Sequence, residues 1–184
     1  MELSRRKFTL EQYHKMIEFG ILTEEDRVEL IRGEIIEMWP IRTKNATCMD
    51  FLNQLLSSKL QDRVLITIQR PVELNHNSET QPDIVLLQPR DDLYVTAHPQ
   101  PQDILLLIEV AELTVLYDRQ EKIPLYAEAN IAEVWLIDIN EQIVEVYQQP
   151  TVIGYQHIEK FTLEQTLSIQ AFPEINITVS EIFS

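Results

Sequence analysis

The sequence predicts an α/β (α+β) fold in which a central mixed β-sheet is flanked by helices, with an N-terminal helix and β-hairpin as an extension. Three observations carry this reading. The runs Gln81-Pro82-Asp83-Ile84-Val85-Leu86-Leu87 and Ile104-Leu105-Leu106-Leu107-Ile108-Glu109-Val110 are apolar without alternation, as strands buried on both faces are. A third apolar run, Glu133 to Asp138, follows the second after a helical segment. Strand, helix and strand in that order imply a right-handed crossover between parallel strands.

The elements follow in order. Thr9-Leu10-Glu11-Gln12 has the pattern of a capping box, and Phe8 with Tyr13 forms a hydrophobic staple, so a helix runs from Leu10 to Phe19. Gly20 is placed to end it in the left-handed conformation, and Thr23-Glu24-Glu25-Asp26 makes a polar connection. Val28 to Ile31 and Glu34 to Trp39 read as a hairpin around Arg32-Gly33. From Lys44 to Asp62, Met49, Leu52, Leu55, Leu56 and Leu60 recur at helical spacing. Short strands are expected at Val64 to Ile68 and Pro71 to Leu74, with a turn over Asn75 to Ser78 before the Asp83 strand. Pro89 to Asp103 reads as a surface loop. The helix near Tyr117 to Ala129 contains Pro124, which predicts a kink or a late helix start. Ile143 to Tyr147 pairs with the Glu133 strand, Tyr155 to Phe161 reads as an edge strand, and Thr178 to Ile182 as a short closing helix.

A chain of 184 residues with 45% hydrophobic and 24% charged side chains supports one domain spanning residues 1–184. Arg5, Arg6 and Lys7 have no apolar stretch behind them, which argues against a signal peptide, and no run reaches the ~20 apolar residues of a spanning helix. A single cysteine, Cys48, fits a reducing, cytoplasmic setting. The net charge of −15 runs against phosphate contact. Residues 1–70, however, hold 11 basic and 11 acidic groups, so the rest of the chain carries the whole excess.

The chemistry must come from acids, because no GxGxxG, Walker loop, HExxH or GxSxG is present. A carboxylate near the end of a buried strand persists only when paired, hydrogen-bonded or metal-bound, though a strand-end Glu can also simply emerge into solvent. Asp83 and Glu109 at the ends of adjacent strands, with Glu34 approaching from the hairpin, offer oxygen ligands to a hard divalent cation. Asp118, Lys122 and Tyr126 recur every four residues on the helix after the Glu109 strand. Lys122 is the candidate to stabilise charge on a reacting phosphate, against the plainer reading of a surface pair with Asp118. His14, His76, His98 and His157 show no ligand spacing, and Trp39 and Trp135 are expected in the core.

Pro82-Asp83, Glu109-Val110, Tyr117-Asp118-Arg119 with Lys122 and Tyr126, and Glu133 to Asp138 together resemble the bacterial family of putative restriction endonucleases within the PD-(D/E)XK nuclease superfamily. Glu29 to Met38 is similar to that family as well, and the resemblance covers roughly residues 8–183. It implies a restriction-endonuclease-like fold and cutting of DNA that depends on Mg²⁺ or Mn²⁺, with a homodimer plausible because double-strand cutting commonly pairs two sites. It suggests Asp83 and Glu109 as metal ligands, Glu34 as the supporting acid and Lys122 as the catalytic lysine. The superfamily's lysine position, two residues after the Glu, is Ala111 here. Two further departures are Asn45 where family members often carry a His, and Ala111-Glu112-Leu113 after Glu109-Val110.

Two other readings stand beside the nuclease: a nuclease fold that no longer cuts and serves as a binding or regulatory module, and a metal phosphohydrolase acting on small nucleotides. Basic groups gathered around the Asp83–Glu109 cleft, notably Arg32, Arg42, Lys44 and Arg70, favour nucleic acid, whereas scattered ones favour the alternatives.

Overall fold

The computed structural model describes residues 4–23 and 25–183. Glu24, in the polar connection, lies outside the described residues. Helix α1 (Leu10–Glu18) begins at the expected capping box, with the Thr9 hydroxyl accepting from the Gln12 N–H and the Gln12 side chain accepting from the Thr9 N–H. Strands β1 (Val28–Ile31) and β2 (Glu34–Glu37) form the expected hairpin. Arg32 and Gly33 both take positive φ, +50° and +79°, the signature of a two-residue primed turn.

Helix α2 (Thr43–Leu60) buries Met49, Leu52, Leu56 and Leu60. The chain then forms β3 (Leu65–Ile68), β4 (Val72–Asn75), β5 (Ser78–Thr80), β6 (Ile84–Leu87) and β7 (Ile104–Ala111). Helical residues 115–128, here α3, lead to β8 (Glu133–Asp138), β9 (Ile143–Thr151), β10 (Gly154–Phe161), β11 (Thr166–Ile169), β12 (Phe172–Thr178) and α4 (Val179–Ile182). Ser78 to Thr80, which reads as turn and linker in the sequence, instead forms β5, and the β11–β12 ribbon has no counterpart among the expected elements.

The main sheet has the order β10-β9-β8-β7-β6-β3; β7 and β8 are its parallel pair and its other pairings are antiparallel. A second, four-stranded sheet has the order β2-β1-β5-β4. Alternation along the main strands separates two cores. Ile84, Leu86, Leu106, Ile108, Val110, Trp135 and Ile137 face α2 and α4. Val85, Leu87, Leu107, Ala111, Val134 and Leu136 face α3 and residues of the second sheet. By the same period of two, Glu109 shares the side of Leu107 and Ala111, beneath α3.

Helix α3 differs from both expectations for Pro124. It neither breaks nor starts late; it widens. α-Helical Val115–Tyr117 and Ile123–Glu128 are joined by a π-helical turn, Asp118–Lys122, in which the Ile123 N–H reaches back to the Asp118 carbonyl. A wider turn immediately before a proline loosens the packing of the ring against the preceding carbonyls, the contact that would otherwise kink the helix. It also gives the segment one residue more per turn, and both Asp118 and Lys122 are buried within it.

Trp135 is fully buried as expected, but Trp39 is not in the core: it is 64% exposed, at the end of the hairpin just before Pro40. Among the described residues no helix is long and apolar enough to cross a membrane.

Candidate active site

The antiparallel register pairs Ile84 with Ile108, so one step further along the ladder Asp83 stands beside Glu109. The Asp83 carboxylate is held there by the Val110 N–H (2.8 Å, Oδ2) and the Gln69 amide (3.3 Å, Oδ1). A cleft of about 130 Å³ opens over this corner, walled by Glu29, Asp83, Glu109, Asp118 and Lys122. Trp39, Ile41 and Asn45 also line it. That space admits an ion with a few waters, at roughly 30 Å³ of liquid volume per water.

Lys122 reaches the cleft from the widened turn of α3. Its Nζ lies 3.0 Å from Glu109 Oε1 and 3.0 Å from Glu29 Oε1, and it is a buried ion-pair centre, not half of a surface pair with Asp118. Tyr126 donates its hydroxyl proton to the same Glu109 oxygen at 2.5 Å. Asp118 accepts from the Thr114 hydroxyl at 2.7 Å. Asn45 donates to the Val110 carbonyl at 2.8 Å, which ties α2 to the strand that carries Glu109.

Glu34 does not join this group. It pairs with Lys7 at 2.7 Å and Arg5 at 3.9 Å at the mouth of the hairpin turn, and it does not line the cleft. The acid the hairpin supplies is Glu29, 4% exposed, whose Oε1 also accepts from the Gln81 N–H at 2.7 Å. Alternation turns Glu29 inward, but Glu34, opposite Ile31 in the ladder, shares that face; position along the hairpin separates the two acids, Glu34 lying at the turn beside Lys7. Val28 and Leu30 pack with Tyr13 against α1, so Glu29 and Ile31 point the other way, toward the main sheet.

Four buried or half-buried carboxylates therefore share one cleft with the Lys122 ammonium, and exposed Glu37 and half-buried Arg27 stand at its edge. Burial pushes the Glu109 carboxyl up to about 8, with Lys122 opposing the rise and Asp83 adding to it. Burial likewise lifts Asp118 to about 6, again against the pull of Lys122. Asp83, half-buried yet ringed by protein atoms, is raised chiefly by desolvation while the Val110 N–H, Lys122 and Gln69 pull it down. For Lys122, burial favours the neutral amine, but Glu109 and Glu29 outweigh it and hold the side chain charged. A surplus of buried negative charge with raised acid pKa values is the electrostatic condition that a divalent cation relieves, and Asp83 and Glu109 offer the hard oxygen donors such an ion takes.

The basic groups divide. Arg42 and Lys44 stand beside the cleft mouth, but both approach Glu112 Oε1, at 3.3 and 3.7 Å. Arg32 is clamped by Glu128 through two 2.7 Å contacts, and Arg70 binds the Leu93 and Tyr94 carbonyls of the Pro89 to Asp103 segment. Glu112 is thus a rim residue paired with cations. Arg27, which no sequence motif singles out, also lines the cleft.

Residues 10–180 match the family described as putative restriction endonuclease (Uma2). Among solved structures, the chain resembles a putative nuclease belonging to DUF820 from Anabaena variabilis, with a TM-score of 0.76 and 19% identity over 96% of this chain and 97% of that one. At that identity the likeness is one of fold. No curated protein matches the chain significantly.

Proposed function

The chain belongs to the putative restriction endonuclease family, and on that footing we propose that it is a metal-dependent endonuclease hydrolysing DNA phosphodiester bonds in the Asp83–Glu109 cleft. The observation that carries the reading is the placement of two carboxylates at adjacent strand ends, on the sheet face that α3 covers with a buried, charged lysine. Mg²⁺ or Mn²⁺ held by Asp83 and Glu109 would supply Lewis-acid polarisation of the phosphate and a water of lowered pKa.

The chain's own groups do the rest. Lys122 keeps a fixed positive charge where negative charge develops on a reacting phosphate. Tyr126 and Lys122 both bond Glu109 Oε1 and fix the orientation of that carboxylate. Glu29 takes the role that Glu34 was expected to fill, the supporting acid from the hairpin, and it holds Lys122 from the opposite side. Cutting both strands calls for two clefts, which a homodimer would provide by two-fold symmetry.

A metal phosphohydrolase acting on small nucleotides is favoured by one observation: Arg42 and Lys44 are already paired with Glu112, which leaves Arg27 as the other cation at the cleft edge and no long unpaired basic track among the described residues. Incubation of the purified protein with Mg²⁺ or Mn²⁺ and either plasmid DNA or nucleoside triphosphates separates the two. Metal-dependent nicking abolished by Asp83→Asn and by Lys122→Met, in variants with native circular dichroism, supports the nuclease. Release of phosphate from nucleotides without nicking moves the assignment to the phosphohydrolase. Loss of neither activity in the variants removes the cleft from both.

A further inference from the structure

On the face of the second sheet that meets α1, opposite the face that carries Glu29, three side chains from three elements converge. His14 comes from α1, Glu73 from β4 and Glu79 from β5, and one donor atom of each lies within 4.8 Å of the others. His14 Nε2 is 2.7 Å from Glu79 Oε2, and Glu79 is 5% exposed. Glu73 is oriented by the Gln100 amide, which donates to its Oε2 at 3.0 Å.

The ladder makes this arrangement costly as it stands. Glu73 and Glu79 are direct partners in the β4–β5 pairing, and like charges opposite one another on a sheet destabilise it. One imidazole stands against two carboxylates. A second, independent observation points the same way. The His98 ring lies 6.3 Å from that of His14, and its Nδ1 is buried without a hydrogen-bond partner among the described residues. The backbone beside it is tied to the same strand, since the Glu73 N–H donates to the Pro99 carbonyl at 3.3 Å. A buried ring nitrogen left without a partner is the kind of group that an ion satisfies.

We propose that His14, Glu73 and Glu79 form a second metal site for a borderline divalent ion of the Zn²⁺ class, its remaining positions open to water or to a rotated side chain of the neighbouring His98. Imidazole with carboxylate suits Zn²⁺ or Co²⁺ better than Mg²⁺ or Mn²⁺, which favour all-oxygen sites, so this site and the cleft select different ions. A bound ion cancels the cross-strand repulsion and ties α1 to the β4–β5 hairpin. That hairpin runs through Thr80 into Gln81, whose N–H holds Glu29 in the cleft. The metal is therefore structural, fixing the element from which the cleft is hung.

Isothermal titration of the tag-free full chain with Zn²⁺ in excess Mg²⁺ tests this, with Co²⁺ absorption as the spectroscopic signature of a nitrogen ligand. One equivalent is expected to bind, at least tenfold more weakly in His14→Ala and in Glu73→Gln, and unchanged in Asp83→Asn and His157→Ala. His14 and Glu73 are partly exposed, so both variants should fold, and circular dichroism verifies it. No saturable binding, equal binding in all variants, or loss of binding in Asp83→Asn or His157→Ala alone would each overturn the site. Because Mg²⁺-dependent cleavage is not the readout, failure here leaves the nuclease reading untouched.

Discussion

Glu109→Gln isolates the cost of the buried carboxylate at the centre of the cleft. Glutamine keeps the size and an acceptor for Tyr126 and Lys122, and Lys122 is not stranded because Glu29 lies 3.0 Å from it. In the wild type, burial raises the Glu109 carboxyl from an ordinary 4.5 to about 8. The native state therefore holds a proton that the unfolded chain gives up, and wild-type stability falls as pH rises from about 4.5 to about 8. At about 1.4 kcal/mol per pH unit, the deficit is about 2 kcal/mol at pH 6 and levels off near 5 kcal/mol above pH 8. The substituted glutamine cannot ionise, so the variant in chelator should be the more stable protein, by a margin that grows with pH over that window. Urea unfolding at pH 5, 6, 7 and 8 in EDTA measures the margin. Saturating Mg²⁺ should then narrow the margin, adding about 2.7 kcal/mol to the wild type at a hundred times Kd and little to the variant, enough to reverse the order near pH 6 but not at pH 8. Parallel pH slopes for the two proteins, or a variant less stable at pH 8, would refute the account of a desolvated acid awaiting a cation.

The same proton bears on metal affinity, since an ion binding Glu109 must displace it: Mg²⁺ affinity should rise up to about tenfold per pH unit below about 8, with proton release seen by titration in buffers of different ionisation enthalpy. Lys122→Met leaves Glu29 and Glu109 buried without their cation and should cost about 3–5 kcal/mol in urea unfolding. Gly33→Ala should destabilise by at least about 1 kcal/mol, because φ is +79° and the new Cβ would sit 2.8 Å from Lys7 Cβ and 2.9 Å from the Phe8 carbonyl oxygen. Trp39→Ala should leave stability within about 0.5 kcal/mol while abolishing acrylamide-quenchable emission, since Trp135 is fully buried.

Much of the fold could be read because its signals are local. The capping box of α1, the Arg32-Gly33 turn and the apolar runs of β6, β7 and β8 each specify an element without knowledge of its neighbours. β5 was missed because three residues, Ser78-Glu79-Thr80, carry no periodicity; they become a strand only by lying between β1 and β4. The Glu34-for-Glu29 exchange has a related cause. Both acids lie on one hairpin and, because Glu34 pairs with Ile31, on one face of it, so the alternation of Val28 and Leu30 against Glu29 and Ile31 does not separate them. What separates them is which end of the hairpin meets the main sheet, and that depends on how the two sheets pack. The His14, Glu73 and Glu79 cluster had no such signal, because its members are brought together by strand register and not by sequence spacing.

The lysine shows how one local irregularity can set a site. In a plain α-helix, Pro124 would press on the preceding turn and kink the segment. The π-turn instead gives Asp118–Lys122 an extra residue, with Asp118 and Lys122 both turned into the protein beneath it. The lysine's long stem then spans the distance from helix to strand and places its ammonium between Glu109 on β7 and Glu29 on β1. Two sheets and one helix therefore meet at a single charge. Replacing Pro124 with Ala removes the steric reason for the wide turn, and a relaxation to regular α-helix would turn the residues after the bulge relative to those before it by one residue's share, about 100°, and so change the direction in which Lys122 leaves the helix. A Pro124→Ala protein that folds as tightly as wild type yet shows a Glu109 pKa raised further, the downward pull of Lys122 being gone, and an altered metal response would identify the turn as the element that aims the lysine; an unchanged pH profile would show that the carboxylates alone hold Lys122 in place.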